Sequence, residues 1–206
     1  MARSEMTSPR KKPAQSRSRF TVQQIVEAAA RVFEQRGYAG TTTNHIAATA
    51  GVSVGSLYQY FPNKDSILVE LLDHHMQQVA AVFEEIRGHV EAEPHDISAV
   101  LRHFVEAMLS LHSQNPRLQH VLLEEAPRPA AMRERHQQIE QAAVLSAHAM
   151  LRANPRVRAT DLEAASYLVV HTIESLTHKY VVSTPSLSPQ RFADGVVEMM
   201  VRYLAD

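Results

Sequence analysis

Apolar residues recur every three or four positions along almost the whole chain, and the runs are punctuated by Gly and by pairs such as Asn115-Pro116, Asn154-Pro155 and Ser188-Pro189. That spacing is the period of an α-helix with one buried face. β-branched and aromatic residues nowhere alternate with polar ones over a useful length, and the 206 residues include only 6 Gly. The fold is therefore expected to be all-α. At 45% hydrophobic the chain can bury a core, and its length suits one or two domains.

The punctuation divides the chain into nine helices. Residues 1–19 are rich in Arg and Lys and almost free of apolar side chains, which predicts a disordered basic arm. Thr21 and Gln24 form a capping-box pattern that opens a first helix through Val22, Ile25, Ala29, Val32 and Phe33 to Gly37. Thr42 can cap a short second helix built on Ile46, Ala47 and Ala50, with Gly51 placed for a left-handed turn. Ser53 caps a third that runs to Phe61; Pro62 stops it, and Asn63 caps a fourth reaching about Arg87. Asp96 opens the fifth. Asn115-Pro116 closes it and opens a short sixth, Pro127 and Pro129 break the chain, and a long seventh ends at Asn154-Pro155. Thr160 and Glu163 suggest a second capping box before a helix that runs to about Ser183, and Ser188-Pro189 opens the last, with Phe192, Val196, Met199 and Tyr203 on one face.

Charge is distributed unevenly. Residues 1–64 carry nine Lys and Arg against three Asp and Glu, while the remainder is acidic, so one end attracts an anion. Within that end, Thr41 to Lys64 reads as two short helices joined by a Gly-containing turn, the pattern of a helix-turn-helix. Ile46, Ala47, Val52, Leu57 and Phe61 would face the first helix. Val54, Gly55, Ser56, Tyr58, Gln59 and Tyr60 would face outwards, where tyrosine and glutamine suit phosphate and base-edge contacts. Lys64 at the start of the fourth helix could bind a phosphate together with the helix N-terminal amides. The basic arm reads equally as a solubilising tail or as an extra backbone or minor-groove contact.

This run, T-T-T-N-H-I-A-x-x-A-G-V-S-V-G-S-L-Y-Q-Y-F-P-N-K, resembles the TetR family of transcriptional regulators over residues 21–72. The resemblance puts Thr43 and Asn44 near DNA, places Val54 to Tyr60 in the recognition helix, and matches Tyr58 and Lys64 to phosphate contacts. With the two caps, the expected DNA-binding residues are Thr42, Thr43, Asn44, Ser53, Val54, Gly55, Ser56, Tyr58, Gln59, Tyr60 and Lys64. The resemblance further implies a nine-helix architecture, with a three-helix DNA-binding domain over 20–65 and an effector-binding and dimerisation domain over 66–206. The implied function is a repressor that binds a palindromic double-stranded DNA operator as a homodimer, packed through its last two helices, and is released by a small apolar or amphipathic effector. The alternative is a DNA-binding protein of this fold whose C-terminal domain binds a protein.

In the C-terminal part, Phe104, Met108, His112, Leu145, Tyr167, His171 and Glu174 are the candidates for an effector site. The 12 His include pairs at one-helix-face spacing, His136/Glu140, His171/Glu174 and His103/Glu106, as well as the adjacent His74/His75. No multi-ligand signature such as HExxH joins them, so neither metal nor other cofactor is expected. The absence of Cys excludes a thiolate zinc site, a disulfide scaffold and a cysteine nucleophile. The chain has no phosphate loop, no G-x-S-x-G elbow and no dinucleotide fingerprint, which argues against an enzyme. It shows no apolar segment of signal or membrane-spanning length, and is expected in the cytoplasm.

Overall fold

A computed structural model describes residues 16–92, 96–125, 130–183 and 185–205. Among the described residues nine α-helices follow one another: α1 (Ser16–Arg36), α2 (Thr43–Ala50), α3 (Val54–Tyr60), α4 (Lys64–Ala92), α5 (Ile97–Ser113), α6 (Pro116–His120), α7 (Ala130–Ala153), α8 (Leu162–Ser183) and α9 (Pro189–Ala205). A single π-helical turn, Val121–Glu125, follows α6. Among the described residues there is no strand, and no helix is long and apolar enough to cross a membrane.

The chain divides into two compact units, residues up to 75 with 117–133, and residues 76–116 with 134–206. In the first, Ile25, Ala28, Ala29, Val32 and Phe33 of α1 are buried with Ile46 and Ala47 of α2 and Leu57 of α3. The caps explain where these short helices start. The hydroxyl of Thr42 accepts from His45 N at 3.2 Å, and that of Ser53 accepts from Ser56 N at 3.0 Å. Gly51 turns the chain between α2 and α3 at φ +68, and its amide donates back to Ala48 O. Asn63 caps α4 by accepting from Ser66 N at 2.8 Å.

In the second unit, α5 is the central element and buries Val100, Leu101, Phe104, Val105 and Met108. It packs against α8 and α9, which bury Val169, Val170 and Ile173, and Val196, Val197, Met200 and Leu204. Of the stripe read from the sequence on α9, Val196 is buried while Met199 and Tyr203 remain 46% and 45% exposed. Glu140 of α7 reaches α8, where His171 Nδ1 lies 3.6 Å from its Oε1, and His136, one turn back, lies 3.0 Å from the same oxygen. Glu174 stands beside them. Burial first, and the charge of Glu140 second, push its carboxyl up from the ordinary 4.5 to about 7.

Several boundaries differ from the sequence expectation. Helix α1 starts at Ser16, ahead of the Thr21 capping box, because no Gly or Pro separates Ser16 from Thr21 and nothing stops the helix growing upstream. Residues 16–19 of the expected arm are thus helical, and 1–15 lie outside the described residues. Helix α4 passes Arg87 to Ala92, since an interior Gly88 weakens a helix without ending it. The cap of α8 is Asp161 and not Thr160: its carboxylate accepts from Ala164 N at 2.9 Å. The breaks at Pro127 and Pro129 fall outside the described residues.

Two expectations follow. Space around the Gly51 Cβ position is open, so Gly51→Ala should cost about 1–2 kcal/mol through backbone strain alone, and Gly51→Asn less, as read by denaturant unfolding. Folding raises the affinity of Glu174 for a proton, so its contribution to stability is present below about pH 4.5 and is lost as pH rises through about 7. In chelator-containing buffer the melting temperature of Glu174→Gln should gain on the parent between pH 5 and pH 8. A difference that stays constant over that range would show Glu174 titrating as an ordinary carboxyl.

Candidate nucleic-acid interface and apolar cavity

Helix α3 has one buried side chain, Leu57, and it anchors the helix like a peg. The remaining positions stand around it. Gly55, Tyr58 and Gln59 are exposed, while Val54, Ser56 and Tyr60 are half-buried. On α2 and its cap, Thr42 and Asn44 are exposed and Thr43 is half-buried. The Thr43 hydroxyl and the Tyr58 phenol lie 3.1 Å apart and tie the two helices together on this outer face. Ser53 and Ser56 hydroxyls pair at 2.8 Å. The sequence-predicted DNA-binding residues on α2, α3 and their caps are thus gathered on adjacent turns, and four of them hold one another in place.

Lys64 has a different environment from the one expected. Its ammonium donates to Tyr38 O at 2.7 Å and Thr41 O at 3.1 Å, and sits 4.1 Å from the centre of the Tyr38 ring. Tyr38 is held from several sides: its phenol donates to Asp65 Oδ1 at 2.6 Å, its amide donates to Glu125 Oε2 at 3.0 Å, and its ring stacks on Phe33. Burial above all, with the Asp65 hydrogen bond and charge, keeps the phenol protonated well beyond its ordinary range. Gly37 precedes it at φ +68, where a Cβ would come within 2.9 Å of the Glu125 carboxylate. Sequence reading missed Tyr38, Asp65 and Glu125, since their partners lie up to 87 residues away.

The second unit holds a largely apolar cavity of about 340 Å3 among α4, α5, α7 and α8. Phe83, Phe104, Leu101, Met150, Val169 and Val170 form its walls, with Arg87 also among the lining residues. Of the seven expected effector residues only Phe104 lines it. Met108 and His112 are buried in the core, with the His112 ring edge-on to His178 at 5.4 Å. Leu145 and Tyr167, 71% and 56% exposed, line a shallow outer groove with His171, whose ring packs on Tyr167 at 4.1 Å. Glu174 belongs to the polar cluster with Glu140. Helical spacing identifies which residues share a stripe but not how far the helix is rotated about its axis, so the stripe on α8 turned outwards.

Two family profiles match the chain, one described as "Bacterial regulatory proteins, tetR family" over residues 25–71 and one as "Tetracyclin repressor-like, C-terminal domain" over residues 96–204. Among curated relatives, the fatty acid metabolism regulator protein of Bacillus subtilis is 34% identical over 82 residues, covering 39% of this chain and 42% of the relative. The HTH-type transcriptional regulator TtgR of Pseudomonas putida is 50% identical over 50 residues, 24% of each chain. The chain thus matches less than half the length of these relatives. The crystal structure of NalD, the secondary repressor of the MexAB-OprM multidrug efflux pump in Pseudomonas aeruginosa, superposes with a TM-score of 0.70 at 22% identity, over 93% of this chain and 98% of that one. FadR from Bacillus subtilis in complex with stearoyl-CoA superposes with a TM-score of 0.66 at 23% identity, over 88% and 98%. With matching profiles over its N-terminal helix-turn-helix and over more than half its length beyond it, the chain belongs to the tetR family of bacterial regulatory proteins.

Proposed function

We propose that the protein is a homodimeric repressor that reads a palindromic operator with α3 and leaves it when a compact apolar or amphipathic molecule fills the cavity of the second unit. The observation that carries the DNA-binding half is the exposed face of α3, where Tyr58 and Gln59 stand clear of the core on a helix pegged by Leu57. Gln59 and Val54 are the base-edge readers, and Tyr58, Thr42, Thr43, Asn44, Ser53, Gly55, Ser56 and Tyr60 form the surrounding contact surface. Lys64 contributes chiefly by fixing the start of α4 beneath the α1–α2 turn, two of its three ammonium protons being taken by Tyr38 O and Thr41 O.

The dimer half rests on apolar side chains that α8 and α9 leave outside: Leu168, Leu176, Met199 and Tyr203. Large apolar side chains left exposed on both of the last two helices suit an interface, and a twofold pairing would set two copies of α3 one DNA turn, about 34–36 Å, apart. The effector half rests on the cavity. Its volume lies at the low end of the range for ligand sites, about 300–1,000 Å3, and its walls offer few polar groups besides Arg87. Relatives named for fatty acid metabolism and for multidrug efflux support an apolar occupant. An apolar cavity of this size favours a small molecule over a protein partner at this site. Helix α4 begins in one unit and continues into the other, and is the element through which occupancy would be felt at the DNA-binding end.

Selection of bound fragments from genomic DNA should recover a palindrome, and Gln59→Ala should change which sequence is selected while leaving the salt dependence of binding intact. Recovery of no preferred sequence would overturn the reading. Met199→Asp combined with Leu168→Asp should give monomers in light-scattering chromatography and weaken operator binding by about a hundredfold through lost bivalency. A dimer that survives both changes would place the interface elsewhere.

A further inference from the structure

Beyond that reading, the geometry points to a divalent transition-metal site in the second unit, with His136 and Glu140 of α7 and Glu174 of α8 as its protein ligands. Among the described residues these three offer one imidazole nitrogen and two carboxylate oxygens, all within 4.8 Å of one another. Two helix-face pairs supply the cluster, His136/Glu140 one full turn apart on α7 and His171/Glu174 three residues apart on α8. Ligands converging from facing helices in this way are the usual construction of metal sites in helical bundles.

The details of the cluster agree with a ligand role. His136 Nδ1 lies 3.3 Å from Met76 Sδ, which fixes the ring from behind. Its Nε2 faces Glu140 Oε1 at 3.0 Å, so the imidazole nitrogen and the carboxylate already converge, and an ion entering between them would take the place of the proton they share. His171, 3.6 Å from the Glu140 oxygen, positions that carboxylate from the other side. Two carboxylates held close in a half-buried place repel each other, and a divalent cation would cancel both charges. An entry path exists, because Glu140 and His171 also line the shallow outer groove with Gln137, Val144 and Tyr167.

The donor set narrows the ion. One nitrogen with two carboxylate oxygens, and no cysteine in the chain, suits Zn2+, Fe2+, Mn2+ or Co2+ and not Cu+. Bonds of about 2.0–2.2 Å bring ligand atoms closer than 4.8 Å, so the ion would draw Glu174 towards the α7 pair. Three protein ligands leave at least one position for water or for a molecule in the groove.

The test is calorimetric titration of the chelator-treated full chain with Zn2+, accompanied by the visible spectrum with Co2+. The expected result is one ion per chain, with Glu140→Gln, Glu174→Gln and His136→Gln each weakening it by about tenfold or more. His74→Ala and His148→Ala should leave that affinity unchanged, which separates the site from chance binding at other histidines. Absence of saturable Zn2+ binding, or binding indifferent to all three ligand substitutions, would overturn the proposal. Should His136→Gln fail to fold, Glu174→Gln still decides: loss of the Co2+ bands supports the site, and bands identical to the parent's refute it. Because none of these readouts involves DNA, their failure would leave the operator reading standing.

Discussion

The place where α3 ends and α4 begins depends on one cation. Lys64 brings its ammonium under two carbonyls at the end of α1 and over the ring of Tyr38, whose phenol is in turn taken by Asp65, the neighbour of Lys64 on α4. The loop is closed: α4 holds the turn through a lysine, and the turn holds α4 through a tyrosine. Each bond alone is worth about 1–3 kcal/mol, and a partly buried charge left without them would cost comparably. Since Asn63 and Pro62 separate Lys64 from α3 by only a few residues, fixing Lys64 also fixes where α3 can end. A side chain suited to binding phosphate is thereby engaged in holding the scaffold that presents the others.

The same economy governs the outer face of the helix-turn-helix. A seven-residue helix is too short to be stable by itself, and α3 exists because Ser53 caps it, Leu57 is buried, and Gly51 lets the chain reverse in three residues. Tyr58 and Thr43 bond to each other across the exposed side, so the surface offered to a partner is already ordered before anything binds. Preordering of this kind reduces the entropy lost on association. It also means that the phenol of Tyr58 must exchange or share its partner if it contacts a phosphate.

Much of the first unit could be read from the sequence because its determinants are local. Thr42, Ser53 and Asn63 act on amides three residues away, and Gly51 acts on its own φ. The Asp161 cap shows the limit of that reading: Thr160 and Asp161 are adjacent and both competent, and only the course of the chain decides between them. The rotation of α8 was less accessible still. Tyr167, His171 and Glu174 share a stripe, yet whether that stripe meets the cavity or the outside depends on how α5 packs against the opposite face, where Val169, Val170 and Ile173 are all buried. The pairing of His136/Glu140 with His171/Glu174 was invisible for the same reason, because each pair is ordinary until α7 and α8 bring them together.

The cavity and the polar cluster share two helices, α7 and α8. On α7, Glu140 belongs to the cluster and Ala143, one turn on, to the cavity wall; on α8, Val170 lines the cavity and His171, its neighbour, meets Glu140. A molecule that enters the cavity and moves α7 from α8 therefore changes the distance between Glu140 and Glu174, and anything that draws those carboxylates together resists that movement. Free energy coupled in this way is reciprocal, so whatever favours the closed cluster lowers affinity for an occupant that wedges the helices apart, and the occupant opposes closure by the same factor. Small residues at Ala143, Ala147 and Ala153 leave the cavity, while the His and Glu positions beside it restrain how far its walls can part.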